Sequence, residues 1–248
     1  MIRKGITKGI VLKKIPYRDY HEIVHILTES GEIESFFYEN VNKNKKLQKL
    51  SIPCTVTAQY FYTSGMNKII TIDIDDYFSN IIYDVMLSSY IGNILEIISY
   101  LNHIPHKYYK LLVELINLVN DSKIDVKLAN IYFIINILKL EGFNFKYKKD
   151  VDEYACYSFK LNMFIDFVDS SSSYMIDNKL TKLIYILSNY DVDILEKVFL
   201  ENDETIQLLN FINLLIREYL GLETKSYKKI LELEEMFNSF KEDNRRYE

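Results

Sequence analysis

The stretch from Gly9 to Asn40 constrains the fold more than any other. Three short apolar runs, Ile10 to Leu12, Ile23 to Leu27 and Ile33 to Tyr38, alternate there with turn chemistry at Pro16 to Asp19 and Glu29 to Glu32. Runs of that length, bounded by Pro, Asp, Ser and Gly, predict short paired strands. After about residue 80 the apolar residues recur at three- and four-residue spacing, the period of helices buried on one face. A small β module followed by a long helical one excludes most folds, and the class expected is α+β.

In the first module, Lys4 to Lys14, His21 to Thr28 and Glu32 to Tyr38 are strand candidates. Pro53 opens a fourth, Cys54 to Thr63, and the Ser64-Gly65-Met66-Asn67 turn leads into a fifth, Lys68 to Ile74. Between the third and fourth lies a loop with Lys43, Lys45, Lys46 and Lys49 and no acid. Five short strands and one long basic loop suit a small Greek-key barrel of the OB type over residues 1–78. Barrels of this kind bind single strands with a cationic groove and aromatic faces. Tyr17, Tyr20, Phe36, Phe37, Tyr38, Tyr60, Phe61 and Tyr62 supply faces, and strand alternation sends about half of them into the core. Alternation alone does not decide which half.

His21-Glu22-Ile23-Val24-His25 matches H-E-x-x-H, the two-histidine zinc motif of metalloproteases. On a helix, residues i and i+4 lie about 6 Å apart on one face and can share an ion. On a strand they share a face too, but at ~3.3 Å per residue they stand roughly 13 Å apart, beyond the reach of one zinc. Pro16 and the Arg18-Asp19 turn precede the motif, β-branched residues crowd Ile23 to Leu27, and Ser30-Gly31 ends the run. A strand is therefore expected. A zinc metalloprotease stands as the alternative that a helix here would require.

The charge is uneven. Residues 1–70 hold eleven Lys or Arg against six Asp or Glu, a net of +5, whereas the whole chain is at −5 and residues 71–248 at −10. Phosphate contacts are local, within a screening length of about 10 Å, so a basic module can hold nucleic acid beside an acidic one. The 248 residues, 48% hydrophobic, suffice for one large or two small cores. Cys54 and Cys156 lie far apart without C-x-x-C spacing, which fits a reducing compartment and neither a disulfide scaffold nor a four-cysteine zinc site. No run reaches the ~20 apolar residues of a membrane span and no signal-peptide core opens the chain, so a soluble cytoplasmic protein is expected. The counts of 21 Tyr, 14 Phe and no Trp, beside many Ile, Asn and Lys, have the bias of an AT-rich genome, and single Tyr, Asn or Lys residues carry correspondingly less meaning.

Residues 79–248 read as a helical domain. Helices are expected over Phe78 to Tyr100, Lys107 to Val119, Asp125 to Leu140 with Gly142 as stop, Asn178 to Asn189, Asp191 to Leu200, Asp203 to Leu220 with Gly221 as stop, and Ser226 to Lys241. Residues 143–176 break the pattern and are expected as an irregular insert, with a turn at Asp169 to Ser173. Seven glycines and no phosphate-cradling motif leave little material for a nucleotide-binding loop.

The order of these features resembles the RecO-type recombination mediators. Gly9-Ile10-Val11-Leu12 with Tyr17, the acid-rich Asp19 to Glu22, Ile23 to Glu29 and Gly31 resembles the family's opening hairpin. The Lys43 to Lys49 loop before Pro53 resembles its basic loop, and Leu138 to Gly142 with Phe143 the end of a family helix. Leu214 to Leu220 with Leu222, Lys225 and Ser226 resembles its C-terminal pattern. Two departures stand out. Glu39-Asn40-Val41 occupies the place of a Gly-Ala-Arg step, and Cys156 is the one cysteine where many members carry a four-cysteine zinc knuckle.

The resemblance implies an OB domain followed by a helical domain, no catalytic residues and no cofactor; with Cys156 alone in place of the knuckle, no metal is expected. It implies a cytoplasmic, nucleoid-associated protein that binds single- and double-stranded DNA, anneals complementary strands and works with RecR. It also implies recognition of the acidic tail of single-strand-binding protein, and through it the loading of RecA. Lys13, Lys14, Arg18, Lys43, Lys45, Lys46 and Lys49 are the candidate phosphate contacts. Lysine is a point charge that reads no bases, in keeping with sequence-independent binding. Arg217 and Lys225 are the candidates for the acidic tail, although −10 over this region matches an acidic peptide poorly. A diverged protein–protein scaffold with weak DNA binding is the principal alternative.

Overall fold

Alternating strands in the first 77 residues close on themselves. The computed structural model describes residues 3–18, 20–39, 50–101, 103–150, 152–167 and 173–245. Strands β1 (Lys4–Tyr17), β2 (His21–Thr28), β3 (Ile33–Tyr38), β4 (Cys54–Phe61) and β5 (Asn67–Tyr77) form a closed barrel in the order β1-β2-β3-β5-β4. Strand β1 closes it by serving two neighbours, with Lys4 to Ile10 paired to β4 and Gly9 to Tyr17 paired to β2. All pairings are antiparallel except β3 with β5, which join in parallel at Phe36–Asn67 and Phe37–Lys68. This is the OB-type Greek-key barrel expected from the sequence, and closure leaves no free sheet edge.

Gly9 sits where β1 changes partners, opposite Thr28 on one side and Val56 on the other. A Cβ there would stand 2.1 Å from the Leu27 carbonyl oxygen, so only glycine lets the two strands approach. Val11, Val24, Ile26, Phe36, Val56, Tyr60 and Ile72 fill the interior. Gly31 performs a second task. At φ +92°, with no room for a Cβ against the Ile104 carbonyl, it accepts a hydrogen bond from Ile104 N at 2.9 Å and so fixes the β2–β3 turn to the segment before helix α3 (His106–Asn120).

One helix was expected over Phe78 to Tyr100; the structure has two, α1 (Ser79–Tyr83) and α2 (Val85–Ile98). The break is Asp84, whose extended backbone and carboxylate cap α2 by accepting from Met86 N and Leu87 N at 2.8 and 2.9 Å. The last helix, α7 (Lys225–Arg245), packs on α2. There Tyr90 Oη donates to Glu234 Oε1 at 2.8 Å and Thr224 Oγ1 to Asn93 Oδ1 at 2.7 Å. Glu96 accepts the first amides of α7, from Lys225 and Ser226. Burial alone would raise the Glu96 pKa, but hydrogen bonds from Ser226 and Lys225 outweigh it and hold the carboxyl below its ordinary range. The change from strand to helix falls beside residue 78, yet α1 to α3 and α7 pack with the barrel into one unit, Met1–Lys123 with Thr224–Glu248.

The second unit, Ile124–Glu223, is built around α4 (Val126–Leu140), which is buried on nearly every side and contacts α5 (Asn178–Asn189) and α6 (Asn202–Leu215). Asp125 caps α4 and Gly142, at φ +90°, follows its end, as the sequence indicates. Residues Val192–Lys197 form a 3₁₀ segment instead of the expected α-helix, because the Val198 amide bonds back only three residues to Leu195. The segment 143–176, expected to be irregular, contains a small antiparallel sheet of β6 (Cys156–Ser158), β7 (Met163–Ile165) and β8 (Ser173–Met175) in the order β7-β6-β8. Strands of three residues are too short for alternation to register in sequence. Most of the expected Asp169 to Ser173 turn lies outside the described residues.

Aromatic rings hold this sheet. Phe164 lies 4.9 Å from Tyr147 and 5.0 Å from Tyr157 between ring centroids, and Tyr157 lies 5.4 Å from Phe211. Cys156 is buried in the central strand and its thiol donates to the Phe167 carbonyl at 3.2 Å. These residues do not fit a zinc knuckle, which needs four soft or borderline ligands. Among the described residues no group of three or more His, Cys, Asp or Glu could hold a metal, and no described helix is long and apolar enough to cross a membrane.

Two outcomes follow from this packing. Gly9→Ala should lower stability by about 1–3 kcal/mol or more in urea unfolding, since the new methyl has nowhere to go; an unchanged midpoint would contradict the β1 crossover. Elemental analysis should find no stoichiometric zinc, and a chelator should leave Tm unchanged, whereas about one zinc per chain would contradict the aromatic account of residues 143–176.

Candidate nucleic-acid interface

The alternation that buries Val24, Phe36 and Tyr38 turns another set of side chains outward. Lys13, Ile15 and Tyr17 on β1 stand opposite His25, Ile23 and His21 on β2, and His25 and Ile23 in turn face Ser35 and Phe37 on β3. The outer surface therefore carries a row Lys13–His25–Ser35 and a row Ile15–Ile23–Phe37. Tyr17 meets Phe37 edge-on with ring centroids 5.8 Å apart, His21 lies 5.2 Å from Phe37, and the Arg18 guanidinium lies 5.2 Å from the Tyr17 ring. The structure thus sorts the eight candidate aromatics. Phe36, Tyr38 and Tyr60 are core; Tyr17, Tyr20 and Tyr62 are 40%, 57% and 44% exposed; Phe37 and Phe61 are half-buried on the outer surface.

Lys13 and Lys14 do not share a face. Consecutive strand residues point to opposite sides, and Lys14 stands opposite Val24, a core residue. Its charge acts on the buried Cys54 thiol, which burial pushes up to about 12 against the pull of that ammonium. Lys13 instead neighbours His25 on the outside. Burial first, and then Lys13, lower the His25 pKa, and His25 Nδ1 is hydrogen-bonded to Ser35 Oγ at 2.8 Å. Both histidines of the H-E-x-x-H match therefore lie on β2, in the strand geometry that keeps i and i+4 too far apart for one metal.

Lys43, Lys45, Lys46 and Lys49 lie outside the described residues, as do Asp19, Asn40 and Val41. Glu39, the acid in place of the family's basic step, is paired with Lys68. That hydrogen bond lowers the Glu39 pKa, and the pair removes Lys68 from the free cations. The charge asymmetry also changes once the strands are known, because residue 70 cuts β5 in two. Residues 1–77 include Asp73, Asp75 and Asp76 and hold eleven cations against nine acids, a net of +2. Asp75 and Asp76 accept from Thr57 and Thr55 of β4. They lie seven and eight residues along β5 from Lys68, roughly 23–26 Å at ~3.3 Å per residue. That exceeds the ~10 Å screening length, so these acids do not cancel cations at the other end.

Two cations escaped the sequence reading. Arg3 places its guanidinium 4.9 Å from the Tyr62 ring, and Lys4 its ammonium 5.6 Å from the Phe61 ring. Both contacts depend on the pairing of β1 with β4 across more than fifty residues of chain, for which no local signal exists. Of the helical candidates, Arg217 is exposed, belongs to the second unit and pairs with Glu218 at 3.3 Å. Lys225 belongs to the first unit, where its backbone amide starts α7.

The fold and this surface define an OB-type barrel with cations and aromatic rings on its outer face, followed by helices. Known proteins give the likeness a name. The chain is 23% identical over 259 residues to the DNA repair protein RecO of Macrococcus caseolyticus, covering 97% of this chain and 100% of that one. It is 23% identical over 246 residues to that of Staphylococcus saprophyticus, covering 93% and 98%, and 22% identical over 241 residues to that of Staphylococcus epidermidis, covering 91% and 95%. The resemblance to the RecO-type family thus extends over nearly the whole chain. No family model matches. Among solved structures, an Entamoeba histolytica asparaginyl-tRNA synthetase overlaps 61% of this chain at a TM-score of 0.28 and 11% identity, too little to bear on the fold.

Proposed function

We propose that this chain is a recombination mediator in DNA repair. It binds single- and double-stranded DNA without sequence specificity, anneals complementary strands and, with RecR, helps load RecA onto DNA coated by single-strand-binding protein. The observation that carries this reading is the likeness, over 91–97% of the chain, to relatives named DNA repair protein RecO. An OB-type barrel whose outer face joins Lys13 and Arg18 to Tyr17 and Phe37 supports it.

Annealing requires a surface that lowers the repulsion between two phosphate backbones. Fixed cations do this without making or breaking a bond, so no catalytic residue is needed. Lys13, Arg18 and the loop lysines Lys43, Lys45, Lys46 and Lys49 are the proposed phosphate contacts; Lys14, on the interior side, does not share the face of Lys13. The acidic tail of single-strand-binding protein is assigned to the helical part of the chain. Arg217 belongs to the second unit and Lys225 to the first.

A second reading, a scaffold that keeps partner contacts but binds DNA weakly, is favoured by the small net charge of +2 over residues 1–77. Replacing Lys43, Lys45, Lys46 and Lys49 together by Ala separates the two. Single-strand affinity should fall about equally for all sequences, and the slope of log K against log salt should flatten by roughly 0.7 per lost phosphate contact. Annealing should slow in parallel, while stability should shift by less than about 0.5 kcal/mol per lysine replaced. A quadruple variant that binds and anneals like the parent across a salt series would favour the scaffold.

A further inference from the structure

We propose that the trough along helix α3 is a binding site for a linear aliphatic polyamine, with an ammonium group seated at each end and methylenes between. The site stands apart from the DNA-binding reading, and neither depends on the other. It is a cavity of about 580 Å³, lined by one face of α3, by Lys123 just beyond it and by Glu29 of the β2–β3 turn. Volumes of about 300–1,000 Å³ are usual for small-ligand sites.

The polar atoms left over in this trough are nearly all acceptors. Tyr109 is only 8% exposed, yet its hydroxyl makes no hydrogen bond to any described residue, where a phenol so enclosed ordinarily has a partner. His106 stacks on Tyr109, with ring centroids 6.3 Å apart and planes 8° from parallel, and its Nδ1 donates to the Glu29 carbonyl. The neutral ring then presents Nε2 as an acceptor. Asn117 Nδ2 donates to the Val113 carbonyl at 2.9 Å, which leaves Oδ1. The Glu29 and Glu114 carboxylates enter no ion pair among the described residues. Burial, and then Glu29, Asp75 and Asp76, push the Tyr109 pKa up to about 12, so the hydroxyl keeps its proton and the acids bias this end toward a cation. Of the two lysines in the lining, Lys123 is paired with Asp121 at 3.2 Å. Lys110 is exposed, and no ion pair joins it to Glu114 one turn on.

This inventory selects the occupant. A ligand with acceptors of its own would meet mainly acceptors, whereas an ammonium offers three donors and no acceptor. The acceptors fall in two groups, Glu29, His106 and Tyr109 at one end and Glu114 and Asn117 at the other. Tyr109 and Asn117 are eight residues apart on α3, ~12 Å at 1.5 Å per residue. A lysine side chain carries one ammonium and satisfies one group. An extended triamine reaches both and lays its methylenes over Val113 and Leu118 on the floor.

Calorimetric titration of the nucleic-acid-free chain with spermidine is the test. One saturable site per chain is expected, with affinity falling at least tenfold from spermidine to n-butylamine and putrescine lying between. Glu29→Gln with Glu114→Gln should weaken spermidine at least tenfold and Tyr109→Phe severalfold, while Lys110→Ala should tighten it. Asp191→Asn with Asp193→Asn, at exposed acids of the second unit, should change nothing. Spermidine should raise the Tm of the parent but not that of the double glutamine variant, and the same melting curves show that each variant folds. Absence of a saturable site would overturn the proposal. So would equal affinity for butylamine, the result expected of a surface that takes a lysine of another protein. Equal weakening by the Asp191 and Asp193 changes, or displacement by magnesium at the same concentration, would show only a counterion cloud and overturn it as well.

Discussion

The barrel depends on one strand serving two neighbours. β1 gives its first half to β4 and its second to β2, and the two pairings overlap at Gly9 and Ile10. The crossover works only because Gly9 brings no side chain to a place where a Cβ would meet the Leu27 carbonyl. Everything on the outer surface inherits its position from this join. Lys4 reaches Phe61 because β1 opens beside β4, and Tyr17 reaches Phe37 because the same strand ends beside β2. A bulge between Val11 and Lys13 shifts the register, and with it the face that each later residue of β1 occupies.

Charge acts locally on this frame. The chain is acidic overall at −5, and even residues 1–77 total only +2. What matters to a phosphate is the few cations within about 10 Å. Glu39 would spoil the outer surface were it not matched by Lys68, and Asp75 and Asp76 are absorbed by threonines of β4 far along β5. The second unit shows a different solution to a missing feature. With a single cysteine in residues 143–176, the small sheet around Cys156 is held by Tyr147, Tyr157, Phe164 and Phe211. Buried rings of that size contribute by area and by edge-to-face packing, without any metal.

Much of this was legible in the sequence, for physical reasons that also set its limits. The five strands, the H-E-x-x-H match on a strand, and the caps at Asp125 and Gly142 are local signals, and local periodicity reads them correctly. Facing is a different matter. Lys13 and Lys14 look alike in sequence and point to opposite sides, and the bulge that decides between them leaves no trace in composition. Asp84 was overlooked as a cap because the apolar period runs straight through it. Arg3 and Lys4 gain their meaning from a partner strand more than fifty residues away, and β6 to β8 are too short to show a period at all.

Hydrogen–deuterium exchange of the intact chain with and without a saturating thymidine oligonucleotide tests the outer barrel surface as the DNA site most directly. Backbone amides near Arg3 to Ile6, Tyr17 to Ile23, Phe37 and Tyr62 to Lys68 should gain protection, while Ile124–Glu223 should exchange as before. Protection confined to Ile124–Glu223, with the barrel strands unchanged, would contradict the account.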